Sequence, residues 1–248
     1  MGLMVAKITI MVYTHIMHKV WNKGFTKESH PSVLKISQTM RKKKIDNFSE
    51  WRKEAKQKGL MRSKYPSLVK NEDLAELIGV VLGDGNIGKF PRTESLRIVA
   101  NSKNKGFIKR YARIVKKVFN QKPSVRKRKD SNAVDIRIYQ KFISKRLGIP
   151  SGAKQHLFHV VPQWVLADKK YVVRYLRGLY EAEGSVSYHK PTYTHKFNFS
   201  NSNQSLLKNV YQLMSQLGFR VNLNKTRVQI SRKSEVEMAA KLLRFRKY

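Results

Sequence analysis

The chain contains no cysteine, so disulfides, thiolate-bound zinc and thiol nucleophiles are all excluded. Acids are scarce: 16 Asp and Glu stand against 52 Lys and Arg, a formal net charge of +36. A field of that sign calls for a polyanion partner. Because the basic residues are spread along every segment, nucleic acid fits better than a membrane surface. No run of 18 apolar residues occurs, so the sequence offers no membrane-spanning helix. Residues 1–20 lack the basic, apolar, small-residue order of a secretory signal and read as a weakly structured leader. The chain is therefore expected to be intracellular, in cytoplasm, nucleoid or an organelle matrix, and not secreted.

What the sequence does have is a repeated stretch. Asp73-Leu-Ala-Glu-Leu-Ile-Gly-Val-Val-Leu-Gly-Asp-Gly-Asn86 returns as Tyr171-Val-Val-Arg-Tyr-Leu-Arg-Gly-Leu-Tyr-Glu-Ala-Glu-Gly-Ser185. Both copies read as helices that end in an acid followed by glycine. Asp84 and Glu183 lie 99 residues apart, as do Leu77 and Leu176, and Gly79 and Gly178. A carboxylate in the last turn faces the negative end of the helix dipole, at a cost of about 0.3–1 kcal/mol. Gly85 and Gly184 are read as C′ residues, which fixes the acids in that unfavourable turn. Scarce acids at two equivalent unfavourable positions point to a task for them. The offset continues downstream: the stripe Phe107, Ile108, Tyr111, Ile114, Val115, Val118 repeats as Leu206, Leu207, Val210, Leu213, Met214, Leu217, and Arg97 falls on Lys196.

In chain order, residues 21–67 form a basic extension. A short helix is expected from Pro31, capped by Ser29 or His30, with Val33, Ile36 and Met40 along one side. After the Arg41–Lys44 run, Phe48–Arg52 opens another helical stretch. The first half, residues 68–165, starts with a helix capped by Asn71 or Asp73 and ending at Asp84. Strands are expected at Ile87–Phe90 and Leu96–Ala100, a helix at 105–119, strands at Ser124–Lys129 and Val134–Tyr139, and a short helix at Lys141–Leu147. The second half, residues 166–248, repeats this with strands at Val186–Lys190, Lys196–Ser200, Phe219–Leu223 and Thr226–Ser231 and helices at 205–217 and Ser234–Phe245.

Each half thus reads αββαββα, a pseudo-symmetric α+β duplication with antiparallel sheets and helices on one face. The other sheet face alternates basic and amide residues with apolar ones: Asp135, Arg137 and Tyr139 between Val134, Ile136 and Ile138; Lys196, Asn198 and Ser200 around Phe197 and Phe199; Arg227, Gln229 and Ser231 around Val228 and Ile230. Those residue types contact phosphates and read base edges in the major groove. Lys89, Arg92, Arg97, Arg126, Arg128, Lys154, Tyr188, Lys190, Asn222, Asn224 and Lys225 complete the expected DNA-contacting set.

The sequence resembles the single-chain LAGLIDADG homing endonucleases over residues 68–248, in both motif copies, their spacing and the αββαββα repeat. The resemblance implies saddle-like sheets and motif helices packed side by side, with Gly79, Gly83, Gly178 and Ala182 allowing close approach. It implies a divalent metal, normally Mg²⁺, held at Asp84 and Glu183, with Gly83 and Ala182 beside them in the metal shell. Ca²⁺ is expected to occupy the site without supporting cleavage. The implied activity is a double-strand cut at a long, asymmetric double-stranded DNA site by a monomer, in intron or mobile-element homing. The extension resembles nuclease-associated modular motifs. The chemistry agrees. Two adjacent carboxylates repel unless a cation joins them, and hard oxygen donors suit Mg²⁺, which activates water and stabilises the leaving oxygen.

This chain departs from the family pattern in two places. The motif's first acid is Leu82 in one copy and Glu181 in the other, a position treated as variable. The basic residue near each metal site is matched by Lys103 in the first half, but the 99 offset places Ser202 opposite it. Lys225 or Arg227 could substitute, or the second half would cut more slowly. Competing readings are an RNA maturase binding intron RNA, a non-cleaving DNA-binding protein on the same fold, and a histidine-based metal site using His156 and His159 or His189 and His195. Pro162 and the β-branched residues nearby argue against the helix that an HxxH pair needs.

Overall fold

The computed structural model describes residues 21–59, 64–154 and 157–248; the expected leader and His156 lie outside them. Two compact units divide between Lys64 and Tyr65. In the first, Pro31 opens α1 (Pro31–Lys42), and the His30 ring, flanked by Trp21 and Phe25, accepts the Ser32 N–H at its start. Helix α2 (Ser49–Gln57) buries only Ala55. Val33, Ile36, Met40 and Ile45 line a shallow groove, and Phe48 and Trp51 are exposed.

The second unit carries the duplication. Its first half runs α3 (Glu72–Asp84), β1 (Gly85–Lys89), β2 (Glu94–Asn101), α4 (Lys105–Phe119), β3 (Ser124–Lys127), β4 (Ala133–Gln140) and α5 (Ile143–Leu147). A short α6 (Gln163–Leu166) leads into the second: α7 (Lys169–Glu183), β5 (Gly184–His189), β6 (Thr194–Ser200), α8 (Gln204–Gln216), β7 (Asn222–Asn224), β8 (Arg227–Ile230) and α9 (Lys233–Leu242). Side-chain caps set the helix starts: Asn71, Asn104, Asp168 and Asn203 accept N–H groups in the first turns of α3, α4, α7 and α8.

Each half folds its strands into a four-stranded antiparallel sheet, ordered β1-β2-β4-β3 and β5-β6-β8-β7. Alternation works as the sequence predicts. Leu96, Ile98, Ile136 and Ile138 are buried on the helix side of the first sheet, and Phe197, Phe199, Val228 and Ile230 on that of the second. One continuous apolar core joins the two halves, with α3 against α7 at its centre.

That central contact is unusually close. A Cβ at Gly79 would lie 2.2 Å from the Tyr175 carbonyl oxygen, and one at Gly178 2.1 Å from that of Glu76. A Cβ at Gly83 would lie 2.5 Å from that of Ala182. The small-residue face expected of the two motifs is therefore the contact itself.

The structure corrects three local expectations. Gly85 and Gly184 are extended, φ −89° and −90°, not left-handed. Glycine is needed there for space, because a Cβ would press on Val81 and Tyr180 one turn back. Strands β5, β6 and β8 are displaced by a residue or two from the expected bounds, and β7 is confined to Asn222–Asn224. The 99-residue offset also slips in β6. Gly85 pairs with Ile98 but Gly184 pairs with Phe199, since the second hairpin has one more residue in each arm. Arg97 therefore corresponds to Asn198, not Lys196.

Candidate active site

Because α3 and α7 run side by side and end in register, Asp84 and Glu183 emerge together. Burial first, and then the charge of Glu183, pushes the Asp84 carboxyl up to about 7; burial also raises Glu183. Two hydrated, independent helix ends would show neither effect. Asn201, in the turn after β6, donates Nδ2 to Glu183 Oε1 at 3.5 Å.

The cation that offsets these acids comes from an unexpected place. Lys154, read from sequence as a DNA-backbone contact, turns inward. Its Nζ donates to the carbonyls of Leu82 at 2.9 Å, Gly83 at 3.4 Å and Val81. Those carbonyls belong to the last turn of α3, the negative end of the helix dipole and the natural place for an ammonium. Burial lowers Lys154 to about 8 even though Asp84 and Glu183 pull it up. The linker is pinned on both sides: Gly152 N–H donates to the Ile87 carbonyl of β1, and Asn203 Nδ2 donates to the Lys154 carbonyl. The position of Lys154 in a Ser-Gly-Ala-Lys turn gave no periodicity from which to place it. Beside it lies a cavity of about 190 Å³ lined by Leu82, Gly83, Lys154, His159, Asn201, Asn203 and Leu206.

Other expected residues fall where their strands put them. Lys103 is exposed in the turn after β2, its N–H held by Asn101 Oδ1. The second-half turn also spans three residues, 201–203 against 102–104, with Asn203 N–H on Asn201 Oδ1, and Ser202 stands at the position of Lys103 without its cation. Arg97, Arg126, Arg128, Arg137 and Tyr139 share the outward face of the first sheet; Lys196, Asn198, Asn222, Asn224, Arg227, Gln229 and Ser231 share that of the second. Arg92, Lys190 and Lys225 stand in turns. Lys89 and Tyr188 do not join that face. Lys89 lies two residues beyond buried Ile87 on the same strand face and Tyr188 pairs with His195, which puts both on the helix side at the hairpin ends. Asp135 binds Arg128 at 2.7 Å and Arg137 at 3.2 Å, and these partners, chiefly Arg128, hold its carboxyl below the usual range.

Glu181, set aside as variable, belongs to a buried polar network away from the paired acids. It accepts from Tyr248 Oη at 2.5 Å and from Arg246 N–H at 2.7 Å. Glu76, fully buried, is gripped by Arg110 at 2.5 Å and Arg174 at 2.6 Å. His159 is buried near Lys154, and burial lowers its pKa.

The donor set suits a hard divalent cation. Asp84 and Glu183 bring two carboxylates to the adjoining ends of α3 and α7, where negative charge is otherwise poorly tolerated. No group of three or more His, Cys, Asp or Glu side chains able to hold a metal occurs among the described residues. A cation here would thus keep part of its shell for water and phosphate, as Mg²⁺ prefers.

Residues 170–247 match the LAGLIDADG-like domain. No curated protein matches the chain. Mesophilic variants of the homing endonuclease I-DmoI align at 18% identity with a TM-score of 0.49, over 69% of this chain and 94% of theirs. An I-DmoI variant in complex with its target DNA in the presence of Mg aligns at 17% identity with a TM-score of 0.50, over 69% of this chain and 95% of that one. Full-length DUF199/WhiA from Thermatoga maritima aligns at 14% identity with a TM-score of 0.49, over 73% of this chain and 57% of that one. The I-DmoI complex shares the fold of this chain.

Proposed function

We propose that this chain, whose residues 170–247 belong to the LAGLIDADG-like domain family, is a site-specific DNA endonuclease. It would make a metal-dependent double-strand cut at a long, asymmetric target, as in the homing of an intron or mobile element. The observation that carries this reading is the meeting of Asp84 and Glu183, one from each half. Burial and mutual repulsion raise Asp84 far above an ordinary aspartate, so the pair favours a bound cation.

Asp84 and Glu183 would hold the cation, with the Gly83 and Ala182 carbonyls beside it. When bound, it supplies charge to the attacking water and to the leaving 3′ oxygen. Asn201 orients Glu183. Lys154 brings an ammonium to the same end of α3, where it offsets the acids. Lys103 adds a cation on the first-half side only. The basic outward faces of the two sheets would hold the duplex through its phosphates and read its bases. Since the two faces differ in sequence, the target need not be a palindrome. The chain would act as a monomer because both acids come from it. The unit before Tyr65, with its Arg41–Lys44 run, would clamp additional phosphates.

The test is cleavage of a plasmid carrying the uninterrupted insertion locus. Wild type should give linear product with Mg²⁺ and none with Ca²⁺. Asp84→Asn and Glu183→Gln should each abolish the cut or reduce it to nicks. Tight, salt-sensitive binding without any cleavage would instead favour a non-cleaving DNA-binding protein or a maturase.

A further inference from the structure

Each half sends the segment that follows it across to the other half. After the first, Asn203 Nδ2 donates to the carbonyls of Lys154 at 3.1 Å and Leu157 at 2.7 Å, and the Ser205 hydroxyl accepts the His159 N–H at 2.9 Å. After α9, the segment 244–248 turns back to the start of α4. There the Asn104 side chain hydrogen-bonds the Tyr248 hydroxyl, and a Cβ at Gly106 would collide with the Tyr248 ring. Asn104 and Asn203 lie 99 residues apart, as do Gly106 and Ser205, so the two crossings are pseudo-symmetric. The first brings Lys154 to the Gly83 carbonyl, beside Asp84. The second brings Arg246 to the Gly184 carbonyl, beside Glu183, with Nη2 donating at 3.3 Å.

Arg246 is held there from several sides. Glu181, only 4% exposed, accepts the Arg246 N–H on one oxygen at 2.7 Å and the Tyr248 hydroxyl on the other at 2.5 Å. A buried carboxylate is costly, and Leu82 fills the equivalent place in the first half, so packing alone does not call for an acid. Arg177 Nη2 donates to the intervening Lys247 carbonyl at 2.8 Å. Arg246 itself has φ 51°, a left-handed conformation uncommon outside glycine, which the contacts on either side maintain. Its guanidinium lies over the Phe245 ring, 4.9 Å from the centroid, and the residue stays exposed.

Resting on the reading of this chain as an endonuclease, we propose that Arg246 contacts the scissile phosphate on the Glu183 side, and that Glu181 and Tyr248 are positioning residues that hold it there. The second half thereby gains the cation that Ser202 does not supply. A guanidinium meets a phosphate with two parallel N–H donors, and one whose backbone is already fixed loses less freedom on contact. The repeat conceals this residue in the sequence, because Arg246 lies 246 − 154 = 92 residues beyond Lys154 and so off the 99-residue offset.

The experiment follows cleavage by the full chain in Mg²⁺ of a duplex carrying the uninterrupted insertion locus, with each strand labelled separately. Arg246→Ala should slow the cut of one strand by about tenfold or more and leave the other unchanged, so that nicked product accumulates. Arg246→Lys, which keeps the charge, should recover part of the loss. Tyr248→Phe should slow the same strand by about twofold to tenfold, the worth of one hydrogen bond, and add nothing in an Arg246→Ala background. A second readout needs neither metal nor DNA: deuterium uptake at 244–248 should rise in Tyr248→Phe and Glu181→Gln. Melting curves confirm that each variant is folded. Equal slowing of both strands, losses that add, or unchanged uptake in folded variants overturns the inference and leaves the endonuclease reading standing. No cut of either strand by wild type overturns that reading and the inference with it.

Discussion

Burial beside α7 and the charge of Glu183 hold the Asp84 carboxyl at about 7, against 3.8 for the free side chain. Because the folded pKa is the higher one, the folded state keeps this proton across the window between those values. Stability therefore falls as pH rises through the window, and the whole penalty is present above it. In metal-free buffer, Asp84→Asn should melt higher than wild type at pH 8, by about 2–4 °C per kcal/mol recovered. The gain should shrink as pH falls toward 4. Thermal denaturation with EDTA at the two pH values checks this, and a difference that does not depend on pH would contradict it. Lys154→Met acts in the opposite direction. It strips the ammonium from two acids and from the Val81, Leu82 and Gly83 carbonyls, so it should lower the melting temperature at pH 7, below the value of about 8 at which Lys154 loses its charge. It should also slow cleavage by about tenfold or more, because the paired acids lose the cation that offsets them.

At the scale of elements, the packing of α3 on α7 places the chemistry, and glycine permits it. Gly178→Ala would set a methyl 2.1 Å from the Glu76 carbonyl oxygen, and backbone cannot step aside as a side chain can. We expect a loss of about 1–3 kcal/mol or more, read as a lower urea midpoint, with cleavage falling as the acids move apart. An unchanged midpoint would mean the helices are not so closely apposed. Much of this was legible in the sequence. The repeated helix ending in acid and glycine located both acids and the contact face, and the helix expected at 105–119 matched both bounds of α4. What was not legible depended on features without periodicity. The second hairpin has one more residue in each arm, and nothing in its composition reveals this, so Arg97 was matched to Lys196 when register matches it to Asn198. Lys154 reaches the acids only because Gly152 and Asn203 pin the linker, both long-range bonds. Gly85 looked like a left-handed cap, yet it is required by the bulk of Val81 one turn back.

For the whole molecule, the balance of 52 basic against 16 acidic residues is the dominant long-range property. Six to ten phosphate contacts on the outward sheet faces would reduce affinity by about 10³–10⁵ between 50 and 200 mM salt. A titration of duplex binding against salt checks this. A shallow slope would remove phosphate contact from the account. The same field would hold any duplex, so the two acids, more than the charge, separate a nuclease from a general DNA-binding protein.

The measurement that bears most directly on the central claim is cleavage by the Asp84→Asn/Glu183→Gln double variant in Mg²⁺, with target binding measured in parallel. The account predicts binding at least as tight as wild type, because two negative charges are removed near the DNA, together with no nicked and no linear product. Linear product from a double variant that binds its target would show that the cut is made elsewhere.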